Sequence, residues 1–441
     1  MGRLADLRPR QEQPVGHRLI IDLRPLQEPD RAPITAAYLE RLVGAYADAP
    51  LPGESVIGVL RALRRDPLPA LAARGLQVAG RRWLPPTGRV LRSAGLALDS
   101  LLLRGAAIRT AGGTGAAGDA GGAARPSVVF HTAGGAAPVA WRQPVVSTLL
   151  DLAPWELPER YARTAASRLG HRLRLRTLTR AAAVLVSSRA TAEAATRLLG
   201  LPAERLLIVP LAADPSFLPG GDRDILARLR VLFAIPERYL VVGGRYDARS
   251  DLPTVLAALA ALRGASPAEA NGHGANGKAG STAWPPVLVL AGAAGSDDTG
   301  RTRVVALAEH HGVRDLLRLT PPLTRPEVAA LEAGAVGHVQ AALSDAAGLA
   351  ALDALAAGVP VVASRTGPLP EIVGPSGIIV EPGDPGRMAT ALRALWSDGP
   401  VAQQVTRAAR QRADGPRRTW ADVAHDTRWA YAAALTADAV G

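Results

Sequence analysis

The chain has 441 residues, 48% hydrophobic and 20% charged, with no cysteine. That is enough for two or three domains and a sizeable core, and it excludes disulfides and thiolate-bound metals. The formal net charge of +12 lies wholly in residues 1–220, while residues 221–441 balance to zero.

No apolar run reaches the roughly 18 residues that span a bilayer. The longest candidate, Ser93–Ile108, is interrupted by Asp99 and Arg104. Residues 1–16 carry no apolar signal core, so the expected compartment is the cytoplasm. A basic half suits an acidic substrate or an anionic membrane surface at the inner face. Aromatics are only 4% and no stacking motif is present, so a nucleic-acid partner is not expected.

Arg18–Leu23 reads as a first strand, followed by a loop at Gln27–Pro33 and a helix from Thr35 to Ala47. Val56–Arg61 is a second strand, Pro67–Ala73 a short helix, and Leu76–Trp83 extended. Gly95–Ile108 reads as helical and residues 111–124 as a flexible, low-complexity loop. Strands at Ser127–His131 and Pro144–Leu149 precede a long Arg-rich helix over Pro158–Ala183. Strand Val184–Ser187, helix Ala190–Leu199 and strand Arg205–Pro210 complete a first α/β half.

Residues 214–220 are Pro/Gly-rich and read as a linker between domains over 1–213 and 221–415. In the second half, strands are expected at Tyr239–Gly243, Val287–Ala291, Leu316–Leu319, Gly337–Gln340, Val359–Ser364 and Gly377–Glu381. Helices are expected at Asp251–Arg263, Arg301–His311, Arg325–Ala333, Gly348–Ala357, Gly386–Ser397 and Pro400–Arg412, with a flexible insertion over 264–283. A last helix, Trp420–Leu435 within 416–441, is expected to pack back on the N-terminal domain.

The richest stretch is 339–384. Asp345 opens a turn of small residues, a helix bearing Asp353 follows, and Gly358 stops it before an apolar strand. Small residues ahead of a helix let a ligand approach its free N–H groups, where an anion is favoured. The stretch therefore reads as a phosphate site flanked by two carboxylates. His310-His311 has no partner at metal spacing and reads as a solvated pair.

The order of these pieces resembles glycosyltransferase family 4, retaining enzymes of GT-B fold that use nucleotide-sugar donors. The resemblance rests on Gly244-Arg245 through Leu252, Asp345 and Asp353 eight apart, Gly358–Val362, Gly367–Glu371, the run at Trp420, Thr148–Pro154 and Ile208–Asp214. It implies an α/β GT-B fold, two Rossmann-like domains facing across a cleft. It also implies that Arg245 neutralises the donor phosphate and Asp345 contacts the transferred sugar. Gly244, Ser250, Gly348, Leu349, Asp353, Thr366 and Gly367 would line the donor, with Asp353 on the ribose. His131 and Asp151 would lie on the acceptor side, though a structural role competes for His131. The acceptor would be a glycan or lipid-linked molecule, and the resemblance implies no metal and no cofactor beside the nucleotide-sugar substrate.

The sequence departs from the family at chemical positions. Ser250 replaces a phosphate-binding lysine, and Asp345 and Asp353 replace glutamates. Gln27–Pro33 has no glycine where a Gly-rich loop is expected, and Leu150 stands where a histidine precedes Asp151. The alternative to a hexosyltransferase is a degenerate homologue that binds a sugar nucleotide or partners an active transferase.

Overall fold

The computed structural model describes residues 16–84, 128–133, 143–243, 246–264, 284–292 and 298–440. The expected helix at Gly95–Ile108, the flexible loop 111–124 and nearly all of the insertion 264–283 lie outside the described residues. The rest divides into two compact units. One is drawn from Met1–Leu211 and Trp420–Gly441, the other from Ala212–Thr419.

In the first unit seven strands form one parallel sheet. They are β1 (Arg18–Asp22), β2 (Ser55–Arg61), β3 (Val78–Leu84), β4 (Val128–Ala133), β5 (Val145–Leu149), β6 (Ala183–Val186) and β7 (Leu206–Ile208), in spatial order β3-β2-β1-β4-β5-β6-β7. The middle strands β1, β4, β5 and β6 are almost uniformly buried. Their unbroken Val/Ile/Leu runs are what a sheet covered on both faces requires. Helix Arg189–Leu199 starts where the Ser188 hydroxyl accepts the Thr191 N–H and ends at Gly200, whose φ of 64° is left-handed.

The Arg-rich helix is shorter than its composition suggests. Single turns at Ala153–Glu156 and Pro158–Tyr161 come first. The helix proper is Ala165–Arg180, opened by a capping box between an extended Thr164 and Ser167. Arg174 turns inward against the Trp155 ring and bonds the Asp151 carbonyl, whereas Arg168, Arg172, Arg176 and Arg180 are exposed.

Helix Trp420–Val440 belongs to the first unit although it comes last in the chain. A buried polar chain fixes it there. The Tyr431 hydroxyl bonds His131 Nδ1 (2.7 Å) and the Tyr46 hydroxyl (2.9 Å). His131 Nε2 bonds Thr148 Oγ1 (2.9 Å), which meets the Tyr38 hydroxyl (3.0 Å). Arg428 adds a bidentate pair with Glu54 at 2.8 and 2.6 Å, both side chains nearly fully buried.

The second unit carries β8 (Leu240–Val242), β9 (Leu288–Leu290), β10 (Leu317–Leu319), β11 (Gly337–Gln340), β12 (Val361–Ser364) and β13 (Gly377–Val380). All are parallel, in order β10-β9-β8-β11-β12-β13. One core joins Leu240, Leu290 and Val339 of the sheet to Val255 and Leu259 of helix Leu252–Gly264 and to Leu392 and Trp396 of helix Pro385–Trp396. Two helices were not legible in the pattern: Arg223–Phe233, capped by Asp222, and the short Leu369–Val373.

Removing one member of a buried ion pair strands the other charge, at about 3–5 kcal/mol. Arg428→Met is therefore expected to lower unfolding stability by about that amount, read from urea denaturation. Adding Glu54→Leu should recover most of the loss, because no lone buried charge then remains.

Candidate active site

In the second sheet β8 lies between β9 and β11, so the direction of winding reverses between β8 and β11. Ligands of open α/β sheets bind beyond the strand carboxyl ends at such a reversal. Three segments leave the sheet there: 243–250 after β8, 341–348 after β11 and 365–367 after β12.

Main-chain and hydroxyl bonds stitch these segments together. Ser250 and Ala342 form an antiparallel bridge, and the Leu343 N–H reaches the Arg249 carbonyl at 2.7 Å. The Thr366 hydroxyl donates to the Ala342 carbonyl, and Ser364 Oγ accepts the Ala342 N–H. Gly367 is pressed against the same turn. With φ at 49°, a Cβ there would stand 1.8 Å from the Asp345 carbonyl oxygen, so only glycine fits.

Asp345 is half-buried and turned onto its own loop. Its Oδ1 accepts the Ala347 and Gly348 N–H groups at 2.9 and 2.8 Å, and its Oδ2 accepts Gln340 Nε2 at 3.1 Å. Gly348, left-handed at φ 64°, begins helix Leu349–Ala356. Its N–H, which the resemblance offers to a phosphate, is thus donated to Asp345. The N–H groups of Leu349, Ala350 and Ala351 open the helix and have no acceptor within it, whereas Leu352 already donates to the Gly348 carbonyl.

The neighbouring cation is engaged as well: the Arg249 guanidinium pairs with Asp247 at 2.8 Å, inside its own turn. Ser250 Oγ accepts the Leu252 N–H and helps to start helix Leu252–Gly264. Gly244 and Arg245 lie outside the described residues.

Asp353 is placed differently from the other acid. It is buried, its Oδ1 accepts the Asp214 N–H at 2.7 Å, and Arg325 lies 3.8 Å from its Oδ2 and 3.6 Å from Asp214. It ties the segment entering the second unit to a helix of that unit. In the first unit His131 is wholly buried with both ring nitrogens occupied, which favours its structural reading. Burial pushes its pKa down to about 3, so the ring is neutral. Asp151 Oδ1 accepts the Ala153 N–H and starts the turn that follows β5.

Sequence reasoning missed the chain behind Asp345. Glu332 Oε1 lies 3.0 Å from His338 Nδ1, and His338 Nε2 lies 3.2 Å from Gln340 Oε1. Gln340 then reaches Asp345. His338 and Gln340 alternate on β11 and so share one face. Two polar residues on a buried strand are a visible signal. Gly243 makes room for them, since a Cβ there would lie 2.1 Å from His338 Cε1. Burial pulls the His338 pKa down, but Glu332, helped by Gln340 and Asp353, outweighs it and raises the value above 6.5.

Two doubly wound parallel sheets, with a site at the reversal of the second, define the GT-B fold. Solved structures of that fold overlay most of the chain. Sucrose-phosphate synthase from Thermosynechococcus elongatus matches with a TM-score of 0.61 at 18% identity, covering 90% of this chain and 94% of that one. The Anabaena protein HepE in complex with UDP-glucose matches with a TM-score of 0.63 at 14% identity, covering 94% and 98%. Residues 237–412 match the family model of glycosyl transferases group 1, and this stretch contains the whole candidate site. D-inositol 3-phosphate glycosyltransferase of Corynebacterium jeikeium is 32% identical over 196 residues, 43% of each chain. The chain spans less than half the length of the first curated relatives it matches.

A raised histidine contributes stability that is full below its unfolded value of 6.5 and fades as pH rises through its folded value. Glu332→Gln is therefore expected to destabilise the protein by about 1–3 kcal/mol near pH 6. The gap to wild type should narrow toward alkaline pH, as read from urea midpoints across the range.

Proposed function

We propose that the chain is a family-4-type glycosyltransferase that moves a hexose from a nucleotide-sugar donor to an acceptor hydroxyl. The observation that carries this reading is the gathering of Ser250, Asp345, Gly348, Thr366 and Gly367 at the sheet reversal, inside the segment that matches the glycosyl transferase family. The donor diphosphate sits at the start of helix Leu349–Ala356, where the N–H groups of Leu349, Ala350 and Ala351 and the helix dipole favour an anion. Arg245, in the stretch 244–245 outside the described residues, supplies the cation that stabilises the leaving phosphate.

Asp345 holds the sugar through the lone pairs of Oδ2 that Gln340 leaves open. The acceptor oxygen bonds to the anomeric carbon as the bond from that carbon to the phosphate oxygen breaks. The acceptor proton passes to the departing phosphate, and attack from the leaving-group face retains configuration. Asp353 fixes the entry segment at Asp214, and its Oδ2, 3.8 Å from Arg325, is the oxygen that would accept from the ribose.

On the acceptor side, several relatives are named for D-inositol 3-phosphate, an anion. An anionic acceptor suits a first half of net charge +12. The exposed row Arg168, Arg172, Arg176 and Arg180, beside the exposed Leu169, suits an anionic bilayer surface that would present a lipid-linked acceptor. Among the described residues no helix is long and apolar enough to cross a membrane.

The test is nucleotide release from UDP-, GDP- and ADP-sugars, with D-inositol 3-phosphate and lipid-linked glycans as acceptors. Turnover with one pair is expected, and Arg245→Ala should lower its kcat by about a hundredfold to a thousandfold. Micromolar nucleotide binding without any transfer or donor hydrolysis would instead identify a binding-only homologue. Neither binding nor release would sink the reading altogether.

A further inference from the structure

We propose that Glu332, His338 and Gln340 form a buried positioning relay that sets the orientation of the Asp345 carboxylate. The proposal rests on the reading that Asp345 contacts the transferred sugar.

The chain is continuous over four side chains, with links of 3.0, 3.2 and 3.1 Å. Its inner three members are each at most 6% exposed, and only Asp345 reaches the surface. The amide of Gln340 allows one consistent arrangement. To donate to Asp345 Oδ2 through Nε2, it must turn its carbonyl toward His338. That carbonyl then needs an N–H from Nε2 of the ring. On the other side the Glu332 carboxylate needs an N–H from Nδ1. Both nitrogens donate only when the imidazole is protonated.

Loss of that proton places a lone pair against either Glu332 or Gln340. Turning the Gln340 amide over would repair the second mismatch, but it would set the Gln340 carbonyl against the Asp345 carboxylate. A change at the Nε2 side of His338 is therefore transmitted to Asp345 through Gln340, whereas one at the Nδ1 side is absorbed at Glu332. The charged groups facing His338 favour the proton: Glu332 from helix Arg325–Ala333 and, more weakly, Asp353 from helix Leu349–Ala356. Strand β8 offers Gly243 in place of a side chain. The hydroxyl of Tyr239, close to Glu332, donates to the Leu331 carbonyl and so does not compete for the ring.

Asp345 Oδ1 is filled by two main-chain N–H groups, so Gln340 decides how Oδ2 is aimed. A misplacement on the order of 1 Å at such a group can cost about a hundredfold in rate.

The experiment follows the side-chain carboxyl carbon of Asp345 and the ring of His338 by NMR in the full chain, titrated from pH 4 to about 9 to bracket the histidine range. In wild type the Asp345 signal is expected to show a second inflection at the pH where His338 titrates. Gln340→Leu should abolish it, and Glu332→Gln should move it to lower pH. An Asp345 curve with no inflection at the His338 titration overturns the relay, and that wild-type measurement holds even if a variant fails to fold.

Kinetics with the accepted donor give the second readout: Gln340→Leu should lower kcat about tenfold to a hundredfold with donor KM little changed. Wild-type kcat in that variant would also overturn the proposal. Coupling seen in a protein that turns over no donor would leave the relay standing and remove the transferase reading instead.

Discussion

A half-buried carboxylate needs partners on the side turned from water, and at the sheet reversal of the second unit Asp345 finds them in its own loop and on β11. Two N–H groups at the foot of helix Leu349–Ala356 close on one oxygen, and Gln340 closes on the other. The consequences spread outward from there. The turn can be this tight only because Gly348 is left-handed and Gly367 has no side chain. It stays in register with the β8 loop because the Leu343 N–H donates to the Arg249 carbonyl and the Asp251 N–H to the Ala341 carbonyl, on either side of the Ser250–Ala342 bridge. A glutamate at 345 would have an extra methylene and could not close the same small ring onto residues 347 and 348 without displacing them. The shorter acid and the tight loop are thus one feature.

Asp353, the other acid of the pair, solves a different problem. Spacing alone puts the two acids about two turns apart along 345–353 and invites a shared role. In the fold one carboxylate organises the loop at the sheet reversal and the other holds the main chain at Asp214. Equal residue types at a recognisable interval therefore do different work here, and burial separates them: Asp353 is 5% exposed, while Asp345 reaches solvent.

Much of the architecture was legible because its strands are continuous apolar runs between turn residues. β1, β5, β6 and β12 fall within a residue or two of where the pattern places them, and helix Arg189–Leu199 announces itself through Ser188 and Gly200. Helix Arg223–Phe233 was overlooked because it buries only Leu229 fully and exposes Val231 and Leu232. The long Arg-rich segment reads as one helix by composition, yet the extended backbone at Thr164 divides it. At the site, residue types and order located the loop but not the partners. Arg249 pairs with Asp247, two residues away, and a side-chain pairing of that kind has no periodicity to read. The His338–Gln340 alternation was there to be noticed. What it lacked was any sign that Glu332 and Asp345 would flank it.

The last helix carries a consequence for how such a chain is assembled. Its partners Tyr46, Glu54 and His131 are made early, while Arg428 and Tyr431 follow only after the whole second unit. During synthesis the second unit can therefore complete its sheet while the first still has buried-type polar groups exposed at one face. The second unit is in effect an insert in the first, and the order in which the two mature is the reverse of the order in which they begin.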